Sequence, residues 1–248
     1  MRVNLKTTIA ALLMTATPLL AQDATMSDAE RDAFRAEVRA YLLDNPEVLM
    51  EAIAVLENRQ AEAEANRDQR LAELNADALY NDGFSYVGGN PDGDITVVEF
   101  IDYRCGFCRR AHPEVAELIA SDGNIRIITK EFPILGEQSL LASQFAVATK
   151  IVAGDAAYKE ISDALIAMRS DVTIASLGAL ASAFDLDSDA IFAEMESPAT
   201  QAVLQNNRAL GERMAISGTP TFVFGDQMVR GYVDLAQMRA IVAAERED

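Results

Sequence analysis

Only two cysteines, Cys105 and Cys108, occur in 248 residues, so no disulfide framework holds the fold and the core must come from ordinary burial. Basic charge is scarce too: 21 Lys and Arg stand against 39 Asp and Glu, a net charge of −18, and such a surface repels nucleic acid. No unbroken apolar run reaches the roughly 18 to 20 residues of a spanning helix. Half of the residues are nevertheless hydrophobic, which argues against disorder and reads as a soluble, globular chain. A single histidine, His112, leaves too few soft or imidazole ligands for a closed zinc site. Two thiolates can hold Cu(I), but the methionines are scattered rather than clustered. His112 itself reads as a helix-surface or packing residue, and nothing in the chain calls for a metal or a cofactor.

What is present begins with Arg2 and Lys6 ahead of the apolar run Ile9 to Met14, then Leu19, Leu20 and a cleavage-compatible Ala21. Residues 1–21 read as a secretory signal, which predicts a bacterial periplasm, where a cysteine pair can be kept as a disulfide. No cysteine follows Ala21 to mark a lipid anchor.

Residues 22–82 read as an N-terminal helical segment. Phe34, Val38, Tyr41 and Leu42, then Leu49, Ala52, Ile53 and Leu56, recur at helical spacing, and Asn45-Pro46-Glu47 predicts a helix start with Asn45 as the N-cap. From Glu57 to Ala78 the composition predicts a helix that buries little, a stalk or linker. An apolar face outside the main domain needs a cover, and self-association into a homo-oligomer is the expected one.

Residues 83–248 read as the main domain. Gly88 to Asp94 is turn-rich, and Ile95 to Ile101 has the composition of a buried parallel strand. Cys105-Gly106-Phe107-Cys108 then opens a helix in which Pro113 predicts a kink, and Ile125 to Thr129 is a second strand, completing a βαβ unit. About residues 138–214 form a helical block with breaks at Asp185 to Asp189 and at Ser197-Pro198. Thr221 to Phe224, a turn at Gly225-Asp226, Met228 to Tyr232 and a helix over Leu235 to Ala244 close the chain.

A disulfide between residues three apart closes too small a loop to stabilise much, so a reactive role fits Cys105 and Cys108 better than a structural one. At an exposed helix start, unpaired backbone N–H groups and the helix dipole favour thiolate at Cys105, the expected nucleophile. Cys108, one turn further in, is the expected resolving cysteine.

The ordered set Val97-Val98-Glu99-Phe100, Cys105-Gly106-Phe107-Cys108, Lys130-Glu131-Phe132-Pro133 and Ser217-Gly218-Thr219-Pro220-Thr221 resembles the DsbA-type thiol:disulfide oxidoreductases over about residues 84 to 244. Tyr41-Leu42-Leu43-Asp44-Asn45-Pro46-Glu47 resembles the branch whose extra helices make oligomers, including suppressor-of-copper-sensitivity C-type proteins. The resemblance implies an α/β, thioredoxin-like fold with a helical insertion, preceded by an N-terminal helical segment. It also implies a cis peptide before Pro220, backbone there for pairing with substrate, and a buried acid, Glu99, that helps move a proton to or from Cys108. Thr219 matches the isomerase pattern, and Gly106-Phe107 in place of Pro-His implies a weaker oxidant than the strongest family members.

The function so implied is to form or rearrange disulfides in unfolded or misoxidised periplasmic proteins, with a membrane redox partner resetting the cysteines. A Cu(I)-binding copper-tolerance protein and an oligomeric chaperone without redox turnover are the competing readings.

Overall fold

The computed structural model describes residues 26–247. The secretory-signal segment, residues 1–21, lies outside the described residues. By its contacts the chain divides into two units, residues 1–57 and 58–248.

In the first unit, α1 (Asp28–Asp44) starts at a capping box: Ser27 accepts from the Glu30 backbone while the Glu30 carboxylate takes the Ser27 N–H. Asn45 does not N-cap the next helix as expected. Its side-chain amide donates to Tyr41 O at 2.9 Å and closes the end of α1, because the carbonyls of a helix end need donors as much as the start needs acceptors. The following helix, α2 (Glu47–Leu74), begins one residue past Pro46. Phe34, Val38, Leu49, Ile53 and Leu56 are all exposed, and α1 buries no residue.

The second unit is built on a five-stranded sheet in the order β1-β3-β2-β4-β5. Its strands are β1 (Tyr86–Gly89), β2 (Ile95–Ile101), β3 (Ile125–Glu131), β4 (Thr221–Phe224) and β5 (Gln227–Arg230). Only β2 and β3 are parallel, joined by α4 (Gly106–Asp122), as the βαβ reading requires. The helix runs through Pro113 without interruption. β1, not expected from the sequence, ends inside the turn-rich stretch at Gly88 and Gly89. Gly89 has φ +68°, and a Cβ there would lie 2.3 Å from Ile125 O, so the glycines serve close strand pairing as well as a bend.

Each face of the sheet is covered. Ala111, Val115 and Leu118 of α4 pack with Met238 and Val242 of a C-terminal helix over Val97, Ile127, Phe222 and Phe224. On the other face Leu210, Met214 and Ile216 join Ala72 and Leu79 over Val98, Phe100, Ile128 and Val223. The stretch Glu57 to Ala78, expected to be a stalk or linker with little burial, belongs from residue 58 onward to the second unit. Asp68, Ala72 and Leu79 are buried, the last in α3 (Ala76–Tyr80), and the Arg230 guanidinium forks onto Asp68. A helix that buries an alanine and a paired aspartate has no apolar stripe to betray it.

The helical block comprises α5 (Glu137–Ala167), α6 (Ile174–Ala183), α7 (Ser188–Met195) and α8 (Pro198–Arg213), and α9 (Leu235–Glu245) ends the chain. α5 breaks at Gly154, φ +85°, a left-handed conformation that glycine adopts freely. The breaks expected near 185–189 and at Ser197-Pro198 fall between helices, with Asp187 and Ser197 as N-caps and Pro198 at a first helical position. Phe145, Ile161, Leu177 and Ile191 of this block form one core cluster with Ile101, Tyr103, Cys105 and Cys108, which seats the insertion beside the cysteine motif.

Candidate functional site

The end of β2 and the start of α4 set the cysteines. Cys105 is the N-cap of α4, with extended φ −74° and ψ 120°, so its carbonyl already accepts from Arg109 N at 3.1 Å while its side chain stays outside the helix. Both cysteines are free thiols. Cys105 was expected to be exposed, but it is only 6% accessible and Cys108 1%, because the insertion and the 217–220 loop close over the helix start. The accessible part of the motif is the pair between them: Gly106 is exposed and Phe107 is 60% accessible.

The Thr219-Pro220 peptide is cis. The Cys105 thiol donates to Thr219 O at 3.1 Å, Thr219 is half-buried, and Pro220 is buried. Thr221 Oγ1 donates to Gly218 O at 2.8 Å and Gly231 N to Pro220 O at 2.9 Å, which fixes the loop on both sides of the proline.

Asp102, fully buried, is the bracket of the site and was not singled out in the sequence. Its carboxylate accepts from Arg104 N at 2.8 Å, Ile134 N at 2.8 Å and Leu135 N at 3.0 Å, tying the approach to the cysteines to the turn after β3. Arg109 Nε donates to Ile166 O at 2.9 Å and Arg104 Nη1 to Ser170 O at 3.0 Å, fastening the start of α4 to the end of α5. Burial pulls the Arg109 pKa down, and the neighbouring Arg169 and Arg104 charges pull the same way.

Glu99 lies buried in β2, between Thr129 of β3 and Phe222 of β4 in register. Burial pushes its pKa up to about 7, with His112 opposing and Glu131 adding to the rise. Burial likewise pushes the Cys108 thiol far up, Glu99 and Cys105 add to this, and hydrogen bonds involving Asp102 and Thr219 oppose it. Cys108 and Glu99 are therefore coupled: each is easier to ionise while the other is neutral.

A second buried acid, Glu131, was quoted in the sequence motif but given no role. Tyr103 Oη and Tyr158 Oη each donate to Glu131 Oε1 at 2.6 Å, Ser143 Oγ donates to Oε2 at 2.7 Å, and burial still pushes its pKa up to about 7. Its neighbour Lys130 is wholly buried on the other face, where Nζ meets Asp82 Oδ2 at 2.5 Å and Ala78 O at 2.8 Å. Consecutive buried charges at a strand end are legible only once both faces of the sheet are known to be covered. His112 pairs with Asp163 through Nε2 at 3.0 Å. Among the described residues no group of three or more His, Cys, Asp or Glu could hold a metal ion.

A thioredoxin family model matches residues 81–244, and the model of the N-terminal domain of the copper resistance protein ScsC matches residues 30–63. A thioredoxin-like oxidoreductase from Silicibacter pomeroyi is 37% identical, covers 69% of this chain and 98% of its own, and superposes with a TM-score of 0.66. Proteus mirabilis ScsC in a transitional conformation is 30% identical over 90% of this chain and 98% of its own, with a TM-score of 0.64. The thiol-disulfide exchange protein alpha-DsbA2 of Wolbachia pipientis is 25% identical over 73% of this chain and 97% of its own, with a TM-score of 0.68. The chain spans about a quarter, 24%, of the length of the Salinispora tropica Na+/H+ antiporter that it matches at 27% identity. With the thioredoxin model matched over well more than half of its length, and structural relatives matched almost end to end, this chain belongs to the thioredoxin family, as a DsbA-type, ScsC-like member.

Proposed function

We propose that the protein is an exported thiol:disulfide oxidoreductase that works in the periplasm on unfolded or misoxidised proteins, with isomerisation as a principal activity. The observation that carries this reading is the placement of Cys105 at the N-cap of α4, within 3.1 Å of Thr219 O beside the cis bond to Pro220.

Cys105 as thiolate attacks one sulfur of a client disulfide. The client S–S bond breaks, a mixed disulfide with Cys105 forms, and the client's other sulfur leaves as a thiolate. In isomerisation that thiolate attacks a different client disulfide, and a client thiolate finally displaces Cys105. When a client holds on too long, Cys108 gives up its proton and attacks Cys105 Sγ, releasing the client as a dithiol and leaving Cys105 and Cys108 oxidised. A membrane redox partner of opposite electron balance then resets the pair. Pro220 shapes the wall against which an extended client lies, and Thr219 supplies backbone to it. Glu99, whose charge raises the Cys108 pKa, accepts or returns the resolving proton.

Residues 22–57 supply the association surface of a homo-oligomer, supported by the exposed Phe34, Val38, Leu49, Ile53 and Leu56. Several Cys105 thiolates on one assembly raise the local concentration around a client and favour repeated exchange.

The test is trapping. Cys108→Ser, mixed with a scrambled disulfide substrate, should accumulate adducts through Cys105 that thiols reverse, while Cys105→Ser should accumulate none. Adducts through Cys108 would reverse the two roles, and no adducts with either variant would end the exchange reading.

A further inference from the structure

Every turnover that uses Cys108 moves a proton on or off a sulfur that is 1% accessible, and Glu99, the acid electrostatically coupled to it, is buried as well. A proton passed between two buried groups must still reach water, or the second turnover stalls. Between β2, α4 and α5 lies a small cavity of about 60 Å³, lined by Glu99, His112, Tyr158, Lys159, Ser162 and Asp163 among others. It has room for ordered water and polar walls to hold it.

The charged and titratable groups around Glu99 differ in what they can do. Cys108 and His112 stand four residues apart on α4, on one face of the helix. Glu131 from β3 is a second buried acid that only repels charge on Glu99. Lys159 and Asp163 come from α5 and are bound to each other, Nζ to Oδ1 at 2.6 Å. An ammonium has no acceptor. The Asp163 carboxyl is held below its ordinary range by hydrogen bonds from His112 and Lys159, although burial works against this, so it stays ionised. A neutral imidazole carries one nitrogen that accepts a proton and one that donates. His112 is also the group that joins inside to outside: it lines the cavity, its side chain is 31% accessible, and Asp163 Oδ1 fixes the ring by a 3.0 Å contact to Nε2.

We propose that His112, held by Asp163, is the positioning residue through which Glu99 exchanges the Cys108 proton with solvent. This rests on the exchange reading above. In the resolving step the Cys108 S–H proton passes to the Glu99 carboxylate and the Cys108 thiolate attacks Cys105 Sγ. The client sulfur leaves with the electron pair, and the Glu99 proton moves across the cavity to His112 and then to water.

The chromogenic disulfide dithiobis(nitrobenzoate) separates the two readings in one stopped-flow trace. The first release of thionitrobenzoate reports attack by Cys105; the second reports attack by Cys108 on the mixed disulfide. In His112→Ala the second release should slow about a hundredfold relative to the first, the lower end of what a positioned proton-transfer group contributes. Added imidazole should restore it, and Asp163→Asn should slow it in the same direction. A purely structural role would not respond to imidazole. An unchanged ratio of the two rates across pH, or a slow second release that imidazole leaves slow, overturns the inference. Absence of the first release in the unmodified protein would instead overturn the exchange reading itself.

Discussion

Raising the pH should weaken the reduced protein, and Glu99→Gln should remove a large part of that weakening. Burial lifts the Glu99 pKa from an ordinary 4.5 to about 7. The folded protein therefore holds a proton that the unfolded chain gives up, and stability falls as pH rises through this window. Below about pH 4.5 both states are protonated and no loss arises; above about pH 7 the loss is complete. At about 1.4 kcal/mol per pH unit the full loss is about 3 kcal/mol, and about 2 to 3 kcal/mol of it falls between about pH 5 and about pH 8. Glu131, also pushed to about 7 by burial, contributes in the same sense. Urea unfolding of the reduced protein, followed by circular dichroism across that pH range, gives the slope directly. Glu99→Gln keeps the shape and removes the titration, so its slope should be about half that of the unmodified protein. A stability that climbs from about pH 5 to about pH 8, or a slope untouched by Glu99→Gln, would refute the assignment of a buried, protonated Glu99.

Three further outcomes are expected. Asp82→Asn leaves the wholly buried Lys130 ammonium without its counter-charge and should cost about 3 to 5 kcal/mol in chemical denaturation, whereas loss of an exposed pair such as Arg208 with Glu212 should cost less than about 1 kcal/mol. Deleting residues 22–57 should give a monomer by light scattering that keeps its fold and its exchange with a small dithiol but loses scrambled-substrate rescue; deleting 22–82 should also unfold more easily, since it removes Ala72, Leu79 and the Lys130 partners. The Cys105/Cys108 potential, from glutathione equilibration, should lie between about −270 mV of thioredoxin and about −120 mV of DsbA, because Gly106 and Phe107 offer no charged donor to a Cys105 thiolate.

The parts of this fold that the sequence discloses are those whose neighbours in the chain carry the signal. Ile95 to Ile101 reads as a strand because it is β-branched and apolar apart from Thr96 and Glu99, and helices cover the sheet on both faces. The insertion reads as helical because Val147 and Ile151, Ile161 and Leu165, and Leu177, Leu180 and Phe184 keep helical spacing, with Ser197-Pro198 marking a break that falls at the start of α8. Residues that depend on distant partners are silent. Asp68 reads as one more solvated acid until Arg230, 162 positions away, meets it. Asn45 has the composition of an N-cap, and only the position of Tyr41 O shows which helix it serves. The cysteine motif marks the site, but the seclusion of Cys105, the Asp102 bracket and the hydroxyls around Glu131 arise from tertiary contacts with no local pattern.

The arginines that fasten α4 to α5 also set the sign of the local field. Arg104, Arg109 and Arg169 gather beside Cys105 in a molecule whose net charge is −18. Against that net charge, this cluster favours anions beside Cys105. Small anionic disulfides and acidic stretches of a client chain are thereby guided toward the sulfur, while two copies of the protein present each other with mostly negative faces. Ionic strength becomes a control on encounter: as the Debye length shrinks from about 30 Å at 0.01 M salt to about 8 Å at 0.15 M, guidance fades beyond the nearest shell, and capture passes from charge to the apolar contact offered by Phe107.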